Sequence, residues 1–163
     1  MSPSILRPLE ATHRRLALPA DDGPPRSADA PRGGGSPRPG EGKRVLIVED
    51  EALIAMDIEM ALSQAGFEIV AIVDTERDAT AACERLQPDV VLMDITLREG
   101  NGIAGARTIM RASVARVIFV SGNSDPKTLA AARALTGAGF IRKPFGDNLA
   151  LLVAAALALP RDH

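Results

Sequence analysis

Tryptophan and tyrosine are absent from this 163-residue sequence and phenylalanine occurs four times, so there is little from which to build an aromatic platform that stacks bases or sugars. A single cysteine, Cys83, excludes an internal disulfide and a thiolate zinc site, and the two histidines, His13 and His163, lie near opposite ends of the chain. Positive charge is not in excess either. A formal net charge of −2 and an isoelectric point near 5.7 provide no basic field for a phosphate backbone, which argues against a nucleic-acid binder and for a protein partner. No uncharged apolar run reaches the roughly 18 residues of a membrane span, and the N-terminus lacks the apolar core of a signal peptide. A cytoplasmic protein without a membrane partner is expected. What is present is ordinary: 46% apolar and 25% charged residues describe a globular chain with one core.

Residues 1–42 differ from the rest. They hold eight of the 12 prolines, the run Gly33-Gly34-Gly35, six arginines and five acids, and no apolar periodicity. Such a stretch cannot bury enough surface to offset its ordering entropy, so a disordered Pro/Gly/Arg-rich tail is expected over 1–42, followed by a folded domain over 43–159 and a short C-terminal tail over 160–163. No output domain is expected after Leu159, where only Pro160-Arg161-Asp162-His163 remain.

From Lys43 onward, continuous apolar runs alternate with helical spacing. Val45-Leu46-Ile47-Val48, Val90-Val91-Leu92-Met93 and Val117-Ile118-Phe119-Val120 read as strands buried on both faces, with further strands at 69–73 and 140–141. Helical patterns fill 51–65, stopped by Gly66; 75–86, capped by Asp74 or Thr75; 103–111; 126–135, with proline in the first turn; and 147–159. Five strand-then-helix units with short connections predict a doubly wound α/β fold, a five-stranded parallel sheet with helices on both faces. Ligands in such sheets gather at the carboxyl ends of the strands, which here carry Glu49-Asp50, Asp94, Ser121 and Lys143.

Three carboxylates converging at one sheet edge repel one another unless a cation lies between them. Mg²⁺ suits the set, with Asp50 and Asp94 as direct ligands, the backbone carbonyl of Thr96 reaching from the next loop and Glu49 acting through water. Lys143, followed by Pro144, would aim an ammonium across the carboxylates, and Ser121 adds a hydroxyl. A carboxylate beside Mg²⁺, a lysine and a hydroxyl together suit phosphoryl transfer onto the carboxylate.

Val48-Glu49-Asp50-Glu51, Leu92-Met93-Asp94-Ile95, Val120-Ser121-Gly122 and Lys143-Pro144-Phe145 occur in order at successive strand ends. Over roughly 44–159 the sequence thereby resembles the receiver domain of two-component response regulators. The resemblance implies a flavodoxin-like receiver fold, Asp94 as phosphoacceptor, Glu49 and Asp50 as Mg²⁺-binding acids, Ser121 as switch hydroxyl, Lys143 on the phosphoryl group and Phe140 as switch aromatic. It further implies a sensor histidine kinase or histidine phosphotransfer protein as partner, and a signalling relay or phosphate sink that is not itself an enzyme. Ser121-Gly122 followed by Asp125-Pro126 looks like the stand-alone receivers that serve one bacterial subclass of sensor kinases. Arg98 stands where many members carry proline, and Ser121 where threonine is commoner.

Other readings fit the residues less well. A haloacid-dehalogenase-like phosphatase needs a second acid two positions after the aspartate, where this chain has Thr96; a P-loop or dinucleotide site needs a Gly-rich turn where it has Glu49-Asp50-Glu51. A pseudo-receiver that binds partners without phosphorylation usually lacks an acid, the aspartate or the lysine, and none is missing. Residue by residue, Glu49-Asp50-Glu51 also suits an acidic first helical turn, Phe140 a core position and Cys83 a small buried hydrophobe. Finally, 149–159 is eleven consecutive apolar residues, and the first helix carries two apolar lines, Leu53/Met56/Met60 and Ile54/Ile58/Leu62. Both exceed the stripe a sheet needs to be covered. The first-helix surplus is expected to dock the kinase or phosphotransfer protein, and the last helix to serve a homodimer or a downstream protein, with Leu151 and Leu152 divided between core and surface.

Overall fold

The computed structural model describes residues 36–122, 125–135 and 140–160. Most of the expected N-terminal tail, 1–35, lies outside the described residues, as do 161–163 at the other end. The elements run β1 (Arg44–Val48), α1 (Ala52–Gln64), β2 (Glu68–Val73), α2 (Glu76–Leu86), β3 (Val90–Met93), α3 (Gly102–Ala112), β4 (Arg116–Ser121), α4 (Pro126–Leu135), β5 (Phe140–Arg142), a 3₁₀ turn (Gly146–Asn148) and α5 (Leu149–Ala158). All strand pairs are parallel, in the order β2-β1-β3-β4-β5.

The expected doubly wound sheet is therefore the observed one, and alternate side chains explain its two cores. Leu46, Val48, Val91, Met93, Val117 and Phe119 point to one face, where Ala79, Ala82 and Cys83 of α2, Ala106 and Ile109 of α3 and Ala132 of α4 cover them. Val45, Ile47, Val90, Leu92, Ile118 and Val120 point to the other, under Ile58 and Leu62 of α1 and Leu149, Val153 and Ala156 of α5. Strands buried on both faces read as unbroken apolar runs for this reason. At the bottom of the sheet the buried Arg116 guanidinium donates to the Ala156 carbonyl, which gives a carbonyl of the last turn of α5 a partner.

The capping chemistry accounts for the helix starts. Thr75 caps α2 by accepting from the Asp78 amide (3.1 Å), and Asn101 caps α3 through its Oδ1, which accepts from the amides of Ile103 (2.8 Å) and Ala104 (3.3 Å). α1 ends as expected at Gly66, whose φ of +94° few other residues adopt.

One expectation needs correction, and the junction ahead of β1 adds a contact. The Gly40 amide donates to the Ala65 carbonyl (3.0 Å) and the Lys43 amide to the Gly40 carbonyl (3.0 Å). Gly40 lies so close to the Phe67 ring that a Cβ there would stand 2.1 Å from it, a contact that glycine's lack of a side chain allows and that composition does not reveal. Leu151 and Leu152 do not divide between core and surface; they are 59% and 45% exposed, because the helix meets the sheet through Leu149, Val153 and Ala156.

Candidate functional site

The strand order reverses between β1 and β3, and the crevice at their carboxyl ends is where the fold leaves room for a ligand. Val48 lies in register with Met93, which sets the next residues, Glu49 and Asp94, side by side; the Asp94 amide donates to the Val48 carbonyl at 2.9 Å. Asp50 follows. Ligand oxygens of Glu49, Asp50 and Asp94 all lie within 4.8 Å of one another. Lys143, just past β5, reaches into this group, its Nζ standing 2.5 Å from Glu49 Oε2 and 3.1 Å from Asp94 Oδ2. The peptide between Lys143 and Pro144 is cis, and the Lys143 amide donates to the Ser121 carbonyl at the end of β4 (3.1 Å).

The acids are held by backbone as well. Glu49 Oε1 accepts the Glu51 amide (3.1 Å), Asp94 Oδ1 the Thr96 amide (3.1 Å) and Asp50 Oδ2 the Arg98 amide (2.9 Å). The Arg98 Nε also stands 3.6 Å from Asp50 Oδ2, so the residue at the unusual loop position places a guanidinium beside this carboxylate. Gly102 opens α3 so close to Asp94 that a Cβ there would lie 1.9 Å from the Asp94 carbonyl oxygen. Asp94 and Ser121 are buried, and Phe140 is half-buried opposite Phe119.

Burial and charge pull against each other here. Glu49, 3% exposed, has its carboxyl raised above the usual range by burial, which outweighs the Lys143 and Glu51 hydrogen bonds. Burial also opposes the Lys143 charge, but its hydrogen bonds to Glu49 and Asp94 prevail and hold the ammonium above its ordinary 10.5. Hard oxygen donors in such a group match a divalent cation such as Mg²⁺, and the lysine matches an anionic group next to it.

The structure thus brings Glu49, Asp50, Asp94 and Lys143 together, with Ser121 at the adjoining strand end. Thr96 contributes its amide to Asp94. Two contacts were not anticipated from the sequence. The pairing of Arg98 with Asp50 spans 48 positions, and the Glu76 carboxylate of α2 accepts the Asn101 amide of the loop after Asp94 (2.9 Å). An acid in the first turn of a helix ordinarily reads as a complement to the helix dipole, so Glu76 carried no signal of its own.

An acidic trio and a lysine at the switch point of a doubly wound parallel sheet define a class of α/β domain that can hold a cation and an anion side by side. The chain matches the response regulator receiver domain over residues 45–156, and it belongs to that family of two-component signalling domains. It is 34% identical over 119 residues to the transcriptional regulatory protein PdtaR of Mycobacterium tuberculosis, covering 73% of this chain and 58% of that protein. It is 36% identical over 105 residues to the chemotaxis protein CheY of Thermotoga maritima, covering 64% of this chain and 88% of the relative. The match therefore spans less than two thirds of PdtaR. Among solved structures, the response regulator domain of Thermotoga maritima CheB superimposes with a TM-score of 0.60 at 28% identity, covering 72% of this chain and 98% of that one. The signal receiver domain of a modulated diguanylate cyclase from Desulfovibrio desulfuricans G20 does so at 0.66 and 27%, covering 71% and 93%. Among the described residues no helix is long and apolar enough to cross a membrane.

Proposed function

We propose that this protein is a signalling phosphoacceptor, taking a phosphoryl group from the phosphohistidine of a sensor kinase or phosphotransfer protein onto Asp94. The observation that carries the reading is the joint placement of Asp94, two further acids within 4.8 Å and the Lys143 ammonium 3.1 Å from Asp94 Oδ2. Asp50 and Asp94 would bind Mg²⁺ directly, with the Thr96 carbonyl and, through water, Glu49. Bound there, the ion would supply charge neutralisation for the acids and the incoming phosphoryl oxygens. An Asp94 carboxylate oxygen attacks phosphorus as the nitrogen–phosphorus bond breaks, and the histidine nitrogen keeps the electron pair. Lys143 then faces the phosphoryl oxygens. Its move from Glu49 to that group, with Ser121 as hydroxyl donor and Phe140 as the aromatic that follows, is the change other proteins detect.

The surface supports a protein partner. Leu53, Met56 and Met60 form an exposed line on α1, while Ile58 and Leu62 are buried. Met60 also borders a groove of about 550 Å³ whose lining includes Lys143, Pro144 and Phe145. The reading assigns this face to the docking helices of the phosphoryl donor and the exposed Leu151, Leu152 and Leu159 at the last helix to a second copy or a downstream protein. It places this exchange in the cytoplasm. Acetyl phosphate with Mg²⁺ should label the wild type in a phosphate-specific gel, and Asp94→Asn should abolish the label without unfolding the chain. Persistent labelling of the variant would sink the acceptor assignment; an unlabelled wild type would leave a scaffold that binds without phosphorylation.

A further inference from the structure

The loop at 95–101, between β3 and α3, is fastened to three carboxylates by three of its own amides. Thr96 N–H meets Asp94 Oδ1 at 3.1 Å, Arg98 N–H meets Asp50 Oδ2 at 2.9 Å and Asn101 N–H meets Glu76 Oε2 at 2.9 Å. The first two carboxylates belong to the site. The third comes from the first turn of α2, and Thr75 beside it forms a parallel bridge with Glu99 of the loop. Space is left for the Glu76 side chain: a Cβ on Gly100 would stand 2.6 Å from Glu76 Cβ and 2.8 Å from its Oε2, and one on Gly105 would stand 3.1 Å from its Cγ. Asn101, the residue Glu76 holds, is the cap of α3, and the next residue is the glycine that abuts the Asp94 carbonyl.

We propose that Glu76 is a positioning residue: by fastening Asn101 to α2 it fixes the far end of the loop, and so holds the Thr96 and Arg98 amides on Asp94 and Asp50. An amide donor fixes which way a carboxylate faces, so the loop's position sets the orientation of two cation-binding oxygens. Glu76 is distant from the acidic trio in sequence and reaches it only through the loop. The proposal rests on the cation-binding reading of the site, and its test separates the two.

Glu76→Ala removes the acceptor, whereas Glu76→Gln keeps a carbonyl oxygen that can accept the Asn101 amide. Hydrogen exchange of the full chain without metal should show faster exchange across 95–102 in Glu76→Ala and near wild-type protection in Glu76→Gln. Calorimetric titration with Mg²⁺ should show roughly tenfold weaker binding in Glu76→Ala, the loss typical when the support of a metal-binding group is removed, and recovery in Glu76→Gln. Unchanged exchange in Glu76→Ala overturns the clamp, and faster exchange with unchanged Mg²⁺ affinity overturns its link to the site. Equal losses in both variants would show that charge rather than the hydrogen bond matters, against the proposal. A wild type that binds no Mg²⁺ would overturn the cation reading, and the exchange measurement, made without metal, then decides the clamp by itself.

Discussion

Glu49 is buried against Asp94, and Lys143 faces both, so its ammonium offsets the repulsion between the two acids. Breaking a buried pair by removing one partner leaves the other charge uncompensated, so Lys143→Met should cost roughly 3 kcal/mol of stability at neutral pH in chelator. The pH dependence follows from the raised ammonium. A lysine whose folded value lies above its ordinary 10.5 stabilises fully below 10.5 and loses that contribution as pH rises through the folded value. From neutral pH upward, denaturation of wild type and variant should therefore show a constant gap up to 10.5 that narrows above it; narrowing that is complete between neutral pH and 10.5 would contradict the pairing. Glu49, raised by burial, acts in the same direction lower on the pH scale: its own effect is to favour the fold as pH falls through its folded value toward the ordinary 4.5. At this scale the sequence was legible where chemistry sits directly after an apolar strand. Asp94 stands out because it follows a strand buried on both faces; Glu49 and Asp50 follow another but also suit an acidic first turn, and Lys143, after the short and partly exposed β5, is legible only from its place after the fifth strand. Glu76 and Arg98 do not stand out, since an exposed-looking acid or arginine finds its partner only when the loop folds over.

Elements place these residues through close contacts as much as through periodicity. α3 begins against the Asp94 carbonyl, and a methyl group at Gly102 would stand 1.9 Å from that oxygen. Gly102→Ala must push α3 or the strand end aside, so it should cost about 1–3 kcal/mol and lower acetyl-phosphate labelling. Gly122→Ala, whose Cβ would meet, among the described residues, the Lys143 Cβ at 3.9 Å, serves as the control and should change stability by less than about 0.5 kcal/mol. Equal behaviour of the two would show that the approach is not constraining. Helix α5 illustrates what periodicity hides. An unbroken apolar run has no polar residue to mark its solvent face, so assigning Leu151 and Leu152 required the structure, which exposes both. Leu151→Glu and Leu152→Glu should each leave the melting temperature nearly unchanged, whereas Val153→Glu should unfold the protein by burying a charge in the second core. A large loss from either leucine would mean that the face is covered.

Across the whole molecule, two apolar layers hold the sheet while the edge at its switch point accumulates charge. The cores are built from β1, β3 and β4, so the acids at the ends of β1 and β3 rest on well-packed segments and cannot retreat from one another. A cation that binds the folded cluster but not the dispersed acids of the unfolded chain must stabilise the fold by an amount its concentration sets. At Mg²⁺ ten times the dissociation constant this is about 1.4 kcal/mol, enough to raise the melting temperature by roughly 3–6 °C in a domain of this size. The increment should grow logarithmically with further Mg²⁺, which distinguishes site binding from general salt screening that monovalent salt would reproduce. Asp50→Asn should abolish most of the increment while leaving the metal-free protein no less stable, because it removes a charge from a repelling group. Melting curves of both proteins in chelator, Mg²⁺ and matched sodium chloride make the comparison. If sodium chloride matches the effect of Mg²⁺, or Asp50→Asn retains the full increment, then the acids at the switch point do not act as a cation site, and the phosphoacceptor reading loses its metal.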